Sequence, residues 1–217
     1  MMEKIKQVFT DIYVNRKWDA EGWSNESASG PGSSLMFTSN LRRELPALIE
    51  QFGIKTIFDA PCGDLNWMKE VLAECHEVGY TGGDIVEPLI ESNAATYGSR
   101  ANTRFVNIDI INDALPAADL MICRDCLFHF SEADIKRFFK NFIASDILAL
   151  LVTCEETPDP NRDIETGSYR HTNLLAAPYN FERNYIYAIE DWPFPPPVMR
   201  RMYMWSKEQI KEFANKF

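Results

Sequence analysis

Four aspartates stand where short apolar runs end. Asp59 follows Lys55-Thr-Ile-Phe, Asp84 follows Tyr80-Thr-Gly-Gly, Asp109 follows Arg104-Phe-Val-Asn-Ile, and Asp125 follows Asp119-Leu-Met-Ile-Cys-Arg. The first three recur at intervals of 25 residues. A strand, a crossover helix and two loops take about 30 residues, so each interval matches one β-α-β step. In open α/β sheets ligands bind outside the carboxyl ends of the strands, and acids at those ends face that crevice. Any one of them can equally be a loop acid or a helix cap; the shared register argues for a site. Asp84, after the second strand, is placed to accept both hydroxyl protons of a ribose.

The turn after the first strand, Asp59-Ala-Pro-Cys-Gly-Asp-Leu-Asn-Trp-Met68, carries one glycine, Gly63. A pyrophosphate needs close backbone approach at more than one glycine, so a dinucleotide, and with it an NAD-type oxidoreductase, is disfavoured. One glycine and free amides at a helix start still suit a smaller group such as an amino-acid moiety.

The elements that must position these residues follow from hydropathy patterning. Strands are expected at 55–59, 80–84, 104–109, 119–124 and 146–153, with helices to about 77, from 88 to 97, and from a Ser131 cap to 142. Repeated β-α-β with short connections predicts a doubly wound, Rossmann-like α/β sheet. Two later strands, 184–190 and 200–205, bring the count to about seven, mostly parallel with an antiparallel last strand. A capped amphipathic helix is expected over 206–217. Ahead of the sheet lie a helix to about residue 17 and a second one capped by Asn40 and ended by Gly53. Between them, Trp18, Trp23 and Ser27-Ala-Ser-Gly-Pro-Gly-Ser-Ser34 form a loop. It reads either as a lid folding over the ligand or as a segment anchored on the far side. The chain therefore divides into 1–54, helices and lid, and a core, 55–217.

Composition narrows the function. With 22 Lys plus Arg against 32 Asp plus Glu, the net charge of −10 argues against nucleic-acid acceptors. The longest apolar run, Ile147–Val152, is far short of the ~20 residues of a membrane span. An amphipathic start without an apolar signal core and five cysteines, an odd count, predict a cytoplasmic, reduced protein. Cys123-Arg-Asp-Cys126 has metal or redox spacing, but no second ligand pair completes a site, and no metal is expected.

Asp59-x-x-x-Gly63, Gly83-Asp84-Ile85, Asn107-Ile-Asp109 and the run Asp119–Phe130 together resemble the class I S-adenosylmethionine-dependent methyltransferases. The segment from Trp23 to Trp67, with Ser29-Gly-Pro-Gly-Ser-Ser34 and Cys123-Arg-Asp-Cys126, resembles a bacterial subgroup found among glycosyltransferase genes. The family's first loop reads acid-x-Gly-x-Gly-x-Gly; this chain has Pro61 and Leu65 at the outer glycine positions. The resemblance implies S-adenosyl-L-methionine as cofactor. Asp59, Ala60, Cys62 and Gly63 would face its methionine part. Asp84 would hold the ribose with Ile85 against the adenine, and Asp109 would accept the adenine amino protons with Ile110 on the ring. Arg124 and Asp125 would sit beside the transferring methyl. Trp67 either covers the cofactor or is a core residue.

Methyl transfer requires in-line alignment and exclusion of water, and a hydroxyl acceptor also needs a base. Asp125 and His129 are the candidates, His129 having the more suitable intrinsic pKa unless it is a packed cap. Arg170, His171 and Asn173 are either acceptor contacts or a solvated loop. The expected activity is O-methylation of a carbohydrate or other small molecule; the alternative is a non-catalytic cofactor-binding domain acting as a partner or regulator.

Overall fold

Ile57 and Phe58 lie side by side in the first strand yet belong to different cores, and this alternation repeats across the sheet. Phe58, Met121, Cys123, Leu150, Val152, Tyr203 and Trp205 pack on one face. Ile57, Leu120, Ile122, Leu151, Met202 and Met204 pack on the other. A period of two with apolar residues in both phases is what a sheet buried on both faces requires.

The computed structural model describes residues 2–19, 26–192, 198–214 and 216. Trp23 and most of the proline-rich loop lie outside the described residues. The sheet comprises β1 (Thr56–Asp59), β2 (Gly79–Asp84), β3 (Thr103–Asn107), β4 (Ala118–Cys123), β5 (Ile147–Glu156), β6 (Tyr187–Glu190) and β7 (Met199–Ser206), ordered β3-β2-β1-β4-β5-β7-β6. The first five are parallel, and β7 runs antiparallel to both β5 and β6. Helices α5 (Glu132–Ala144) and α6 (Lys207–Ala214) cover one face through Phe138, Phe139, Phe142 and Phe213. Helices α2 (Ser39–Phe52) and α3 (Met68–Glu74) cover the other through Leu41, Leu45, Leu48, Met68 and Val71, joined by Ile90 of α4 (Glu87–Tyr97). Helix α1 (Met2–Val14) adds Ile5 to the first core.

Several boundaries differ from the sequence expectation for visible reasons. Helix α2 starts at Ser39, so Asn40 is inside it rather than at its cap, and its amide donates to the Trp192 carbonyl at 3.3 Å. Gly53 ends α2 as expected, in the left-handed conformation that glycine adopts freely. Helix α3 stops at Glu74 because Cys75 leaves helical geometry and the chain turns back through a Val78 N–H to Cys75 carbonyl bond. Ser131 caps α5, accepting the Asp134 N–H at 3.2 Å. Ser206 and Gln209 cap α6 reciprocally, at 2.9 and 3.2 Å.

Candidate functional site

The strand order reverses between β1 and β4, and a cavity of about 360 Å³ opens there beyond the carboxyl ends. The loops after β1 to β4 form its floor. Helix α1 and residues 29–33 form its roof.

At the β1–β2 end, Gly63 takes a positive φ of 56°, and a Cβ there would meet the Ser29 Oγ at 2.5 Å. Leu65 also takes a positive φ, 57°, so the backbone keeps a glycine-type turn at a position that carries a side chain. Asp84 is buried and lines the cavity. Its carboxylate accepts the Val86 N–H at 3.0 Å and the Gly63 N–H at 3.3 Å, and it has no cationic partner among the described residues. Burial pushes its pKa up to about 6. Asp59 accepts the Tyr80 hydroxyl at 2.7 Å, and burial pushes it up to about 7. Asp109 lies two residues past β3, with its oxygens taken by the Ile111 N–H and the Asn112 amide at 2.9 and 2.7 Å.

Of the residues singled out by sequence, Asp59, Cys62, Gly63, Trp67, Asp84, Ile85, Asp109, Ile110, Arg124, Asp125 and His129 all line this cavity. Ala60 does not. It continues the pleat of β1, gives its N–H to the Ile122 carbonyl and packs into the core beneath. Trp67 is a core residue beneath α2 and α3 that also lines the cavity.

The turn after β4 holds a buried ion network that sequence reading missed. Asp191, fully buried, accepts from Arg124 Nε at 3.0 Å and from Arg200 Nε at 2.7 Å. Arg124 also reaches Asp125 at 3.2 Å and the Gly32 carbonyl at 2.9 Å. Arg200 pairs with the other oxygen of Asp125, and burial together with Arg124 pushes its pKa down. Both oxygens of Asp125 are thus engaged by arginines, on a residue held at a φ of 55°. No sequence spacing marks Asp191 and Arg200, because the partners come from the turn after β4, from β7 and from the loop between β6 and β7.

His129 is differently placed. Its Nδ1 lies 2.8 Å from the Ser168 carbonyl, which fixes the proton on Nδ1 and leaves Nε2 as the acceptor. Burial lowers its pKa, which keeps the ring neutral. Trp18 stacks on it with centroids 5.7 Å apart, and Phe9 and Phe128 meet it edge-on.

The roof is tied down by specific bonds. Ser27 Oγ reaches both Asp64 oxygens at 2.9 Å, and the Ala28 N–H reaches one of them at 2.8 Å. The Asn66 amide bonds Glu26 at 2.7 Å and the Ser33 carbonyl at 3.0 Å.

Arg170 and Asn173 are not brought to the cavity. Arg170 is buried against the Phe130 carbonyl at 2.7 Å, and Asn173 is bonded to Thr157 and Leu175. His171 pairs with Glu155 at 3.3 Å, while Tyr169, two residues earlier, lines the wall instead. Among the described residues no cluster of three metal-ligating side chains occurs. Also among these residues, no helix is long and apolar enough to cross a membrane.

No protein-family model matches the chain, and no curated protein matches it in sequence. Solved structures do match. The chain is similar to magnesium protoporphyrin IX methyltransferase from Synechocystis PCC 6803 with bound SAH, at 11% identity, over 93% of this chain and 99% of that one, with a TM-score of 0.61. It is similar to 1,6-didemethyltoxoflavin-N1-methyltransferase from Burkholderia thailandensis, with bound 1,6-didemethyltoxoflavin and S-adenosylhomocysteine, at 18% identity, over 95% and 90% of the two chains, with a TM-score of 0.59. It is also similar to human N-acetylserotonin methyltransferase in complex with SAM, at 12% identity over 75% of this chain, with a TM-score of 0.55; it spans 50% of that protein's length. The fold is that of the class I methyltransferases.

Proposed function

We propose that the chain is an S-adenosylmethionine-dependent methyltransferase that methylates an oxygen of a carbohydrate or other small acceptor. The observation that carries this reading is Asp84, a buried carboxylate facing the cavity with backbone partners only. Burying a carboxylate without a cation is costly, and two hydroxyls of one ribose would satisfy its remaining lone pairs without adding charge. The residues present therefore fit the nucleoside of the cofactor. The names of the solved relatives support the activity, since each is a methyltransferase.

When bound, the cofactor supplies an electrophilic methyl group on a sulfonium. The chain's own residues supply the rest. Asp84 holds the ribose, and Asp109, Ile85 and Ile110 enclose the adenine. Asp59, Cys62 and Gly63 face the amino-acid end, with Trp67 covering it. Arg124 fastens the loop 26–35 to the sheet through Gly32, so that loop and α1 act as a lid that excludes water. Asp125 is committed to two arginines and positions the turn, which leaves proton removal from the acceptor hydroxyl to His129 Nε2. The wall around His129, built from Phe9, Trp18, Phe128 and Tyr169, offers flat apolar faces on which a sugar or phenol ring packs.

The test is transfer of labelled methyl from S-adenosylmethionine to a panel of neutral saccharides and phenols. Labelling by the wild type, lost in His129→Ala while S-adenosylhomocysteine binding persists, supports the reading. Cofactor binding with no labelling across the panel favours a non-catalytic domain.

A further inference from the structure

Ile5, Phe9 and Tyr13 recur every four residues along α1, so they form one stripe on the helix, and all three line the cavity. The first two are accounted for by packing. Ile5 belongs to the core, and Phe9 meets the rings of His129 and Phe130 with centroids 6.2 and 6.3 Å away. The helix is further held by Lys6 on Glu87 at 2.8 Å. Tyr13 is not explained in this way. It is half-buried at the cavity wall, and its hydroxyl has no hydrogen-bond partner among the described residues. Buried tyrosine hydroxyls usually find a partner, and a ligand filling the cavity would bury this one.

Tyr13 lines the same cavity as Cys62, Gly63 and Asp84, and Asp64, Asp84, Arg16 and Cys62 act on it electrostatically. Burial and the two aspartates raise its pKa, which keeps the hydroxyl protonated and able to donate. The loop after β1 is where the amino-acid end of the cofactor belongs on the reading above. Arg124 and Arg200, the arginines that line the cavity, are already engaged, Arg124 by Asp191, Asp125 and Gly32 and Arg200 by Asp191 and Asp125.

We propose that Tyr13 is a ligand-binding residue contributed by α1, its hydroxyl bonding the zwitterionic amino-acid end of an S-adenosyl ligand. Helix α1 is then part of the binding site and not only its cover. The inference rests on the proposed cofactor, and its test separates the two. Calorimetry compares S-adenosylhomocysteine with 5′-methylthioadenosine, which keeps the nucleoside and sulfur but lacks the amino-acid end. Tyr13→Phe retains the ring and its packing. It should weaken S-adenosylhomocysteine about tenfold, the size expected for a hydrogen bond to a charged group, and leave methylthioadenosine within about twofold. Equal losses for both ligands would assign Tyr13 a structural role and overturn the proposal, as would unchanged affinity for both. A wild-type protein that binds neither compound overturns the cofactor reading, and this inference with it.

Discussion

A carboxylate buried without a cation leaves a signature in the pH dependence of the protein. The folded-state pKa of Asp84 stands at about 6, above the ordinary 3.8. The folded chain therefore holds this proton more tightly than the unfolded chain, and stability falls as pH rises from about 4 through 6. The whole effect is at most about 3 kcal/mol. Asp59, raised to about 7, contributes in the same window, so Asp84→Asn should reduce and not abolish the slope of Tm against pH there, measured by calorimetry without ligand; an unaltered slope would mean that the carboxylate is solvated. The same substitution removes the charged acceptor for the ribose and should cost S-adenosylhomocysteine at least tenfold in affinity. Charge on Asp84 favours the hydroxyl donors, so wild-type affinity should rise between pH 5 and 7. His129 makes an independent prediction at this scale. Its Nδ1 is bonded to the Ser168 carbonyl and its pKa is lowered. Nitrogen NMR at pH 7 should show a neutral ring protonated on Nδ1; an Nε2-protonated ring, or one that titrates above 6.5, contradicts the role of base.

At the scale of elements, the loop 26–35 and the turn after β1 form one unit. Asp64 binds Ser27 and the Ala28 amide, and Ser29 Oγ accepts the Asp64 N–H at 3.0 Å. Asp64→Ala removes the acceptor for the Ala28 N–H, so that amide and its neighbours should exchange with deuterium at least tenfold faster. Exchange within β1 and β4 should not change. Equal exchange in both proteins would show that the loop is held by Arg124 and Asn66 alone. The strand ends were legible in the sequence because Asp59, Asp84 and Asp109 repeat with the length of a β-α-β step. The loop was legible only as composition. Its serines and glycines marked it as a loop that could be a lid or a segment anchored on the far side, but the residues that fasten it, Asp64 and Asn66, are ordinary turn residues whose partners lie more than thirty positions away.

Across the whole molecule, Asp191 joins parts that sequence reading left separate. It clamps Arg124 after β4 and Arg200 in β7, beside Trp192, which packs edge-on against Phe37 with centroids 4.3 Å apart. Asp191→Ala leaves two buried guanidinium groups short of an anion and should destabilise the protein by about 3–5 kcal/mol in urea unfolding. A loss below about 1 kcal/mol would mean that the arginines reach water. The sheet was legible from period and spacing, since alternating apolar residues in both phases demand cover on both faces. This clamp was not, because a charge 67 residues from its partner carries no local pattern. Of the segment that offered Arg170, His171 and Asn173 as acceptor contacts or a solvated loop, it is Tyr169 that lines the cavity. What unites floor, roof and clamp is one cavity, proposed to take an S-adenosyl ligand, and calorimetric titration of the wild-type protein with S-adenosylhomocysteine and with NAD tests that most directly. Saturable one-to-one binding of S-adenosylhomocysteine, with none of NAD, is the expected result; binding of NAD without S-adenosylhomocysteine would contradict the account.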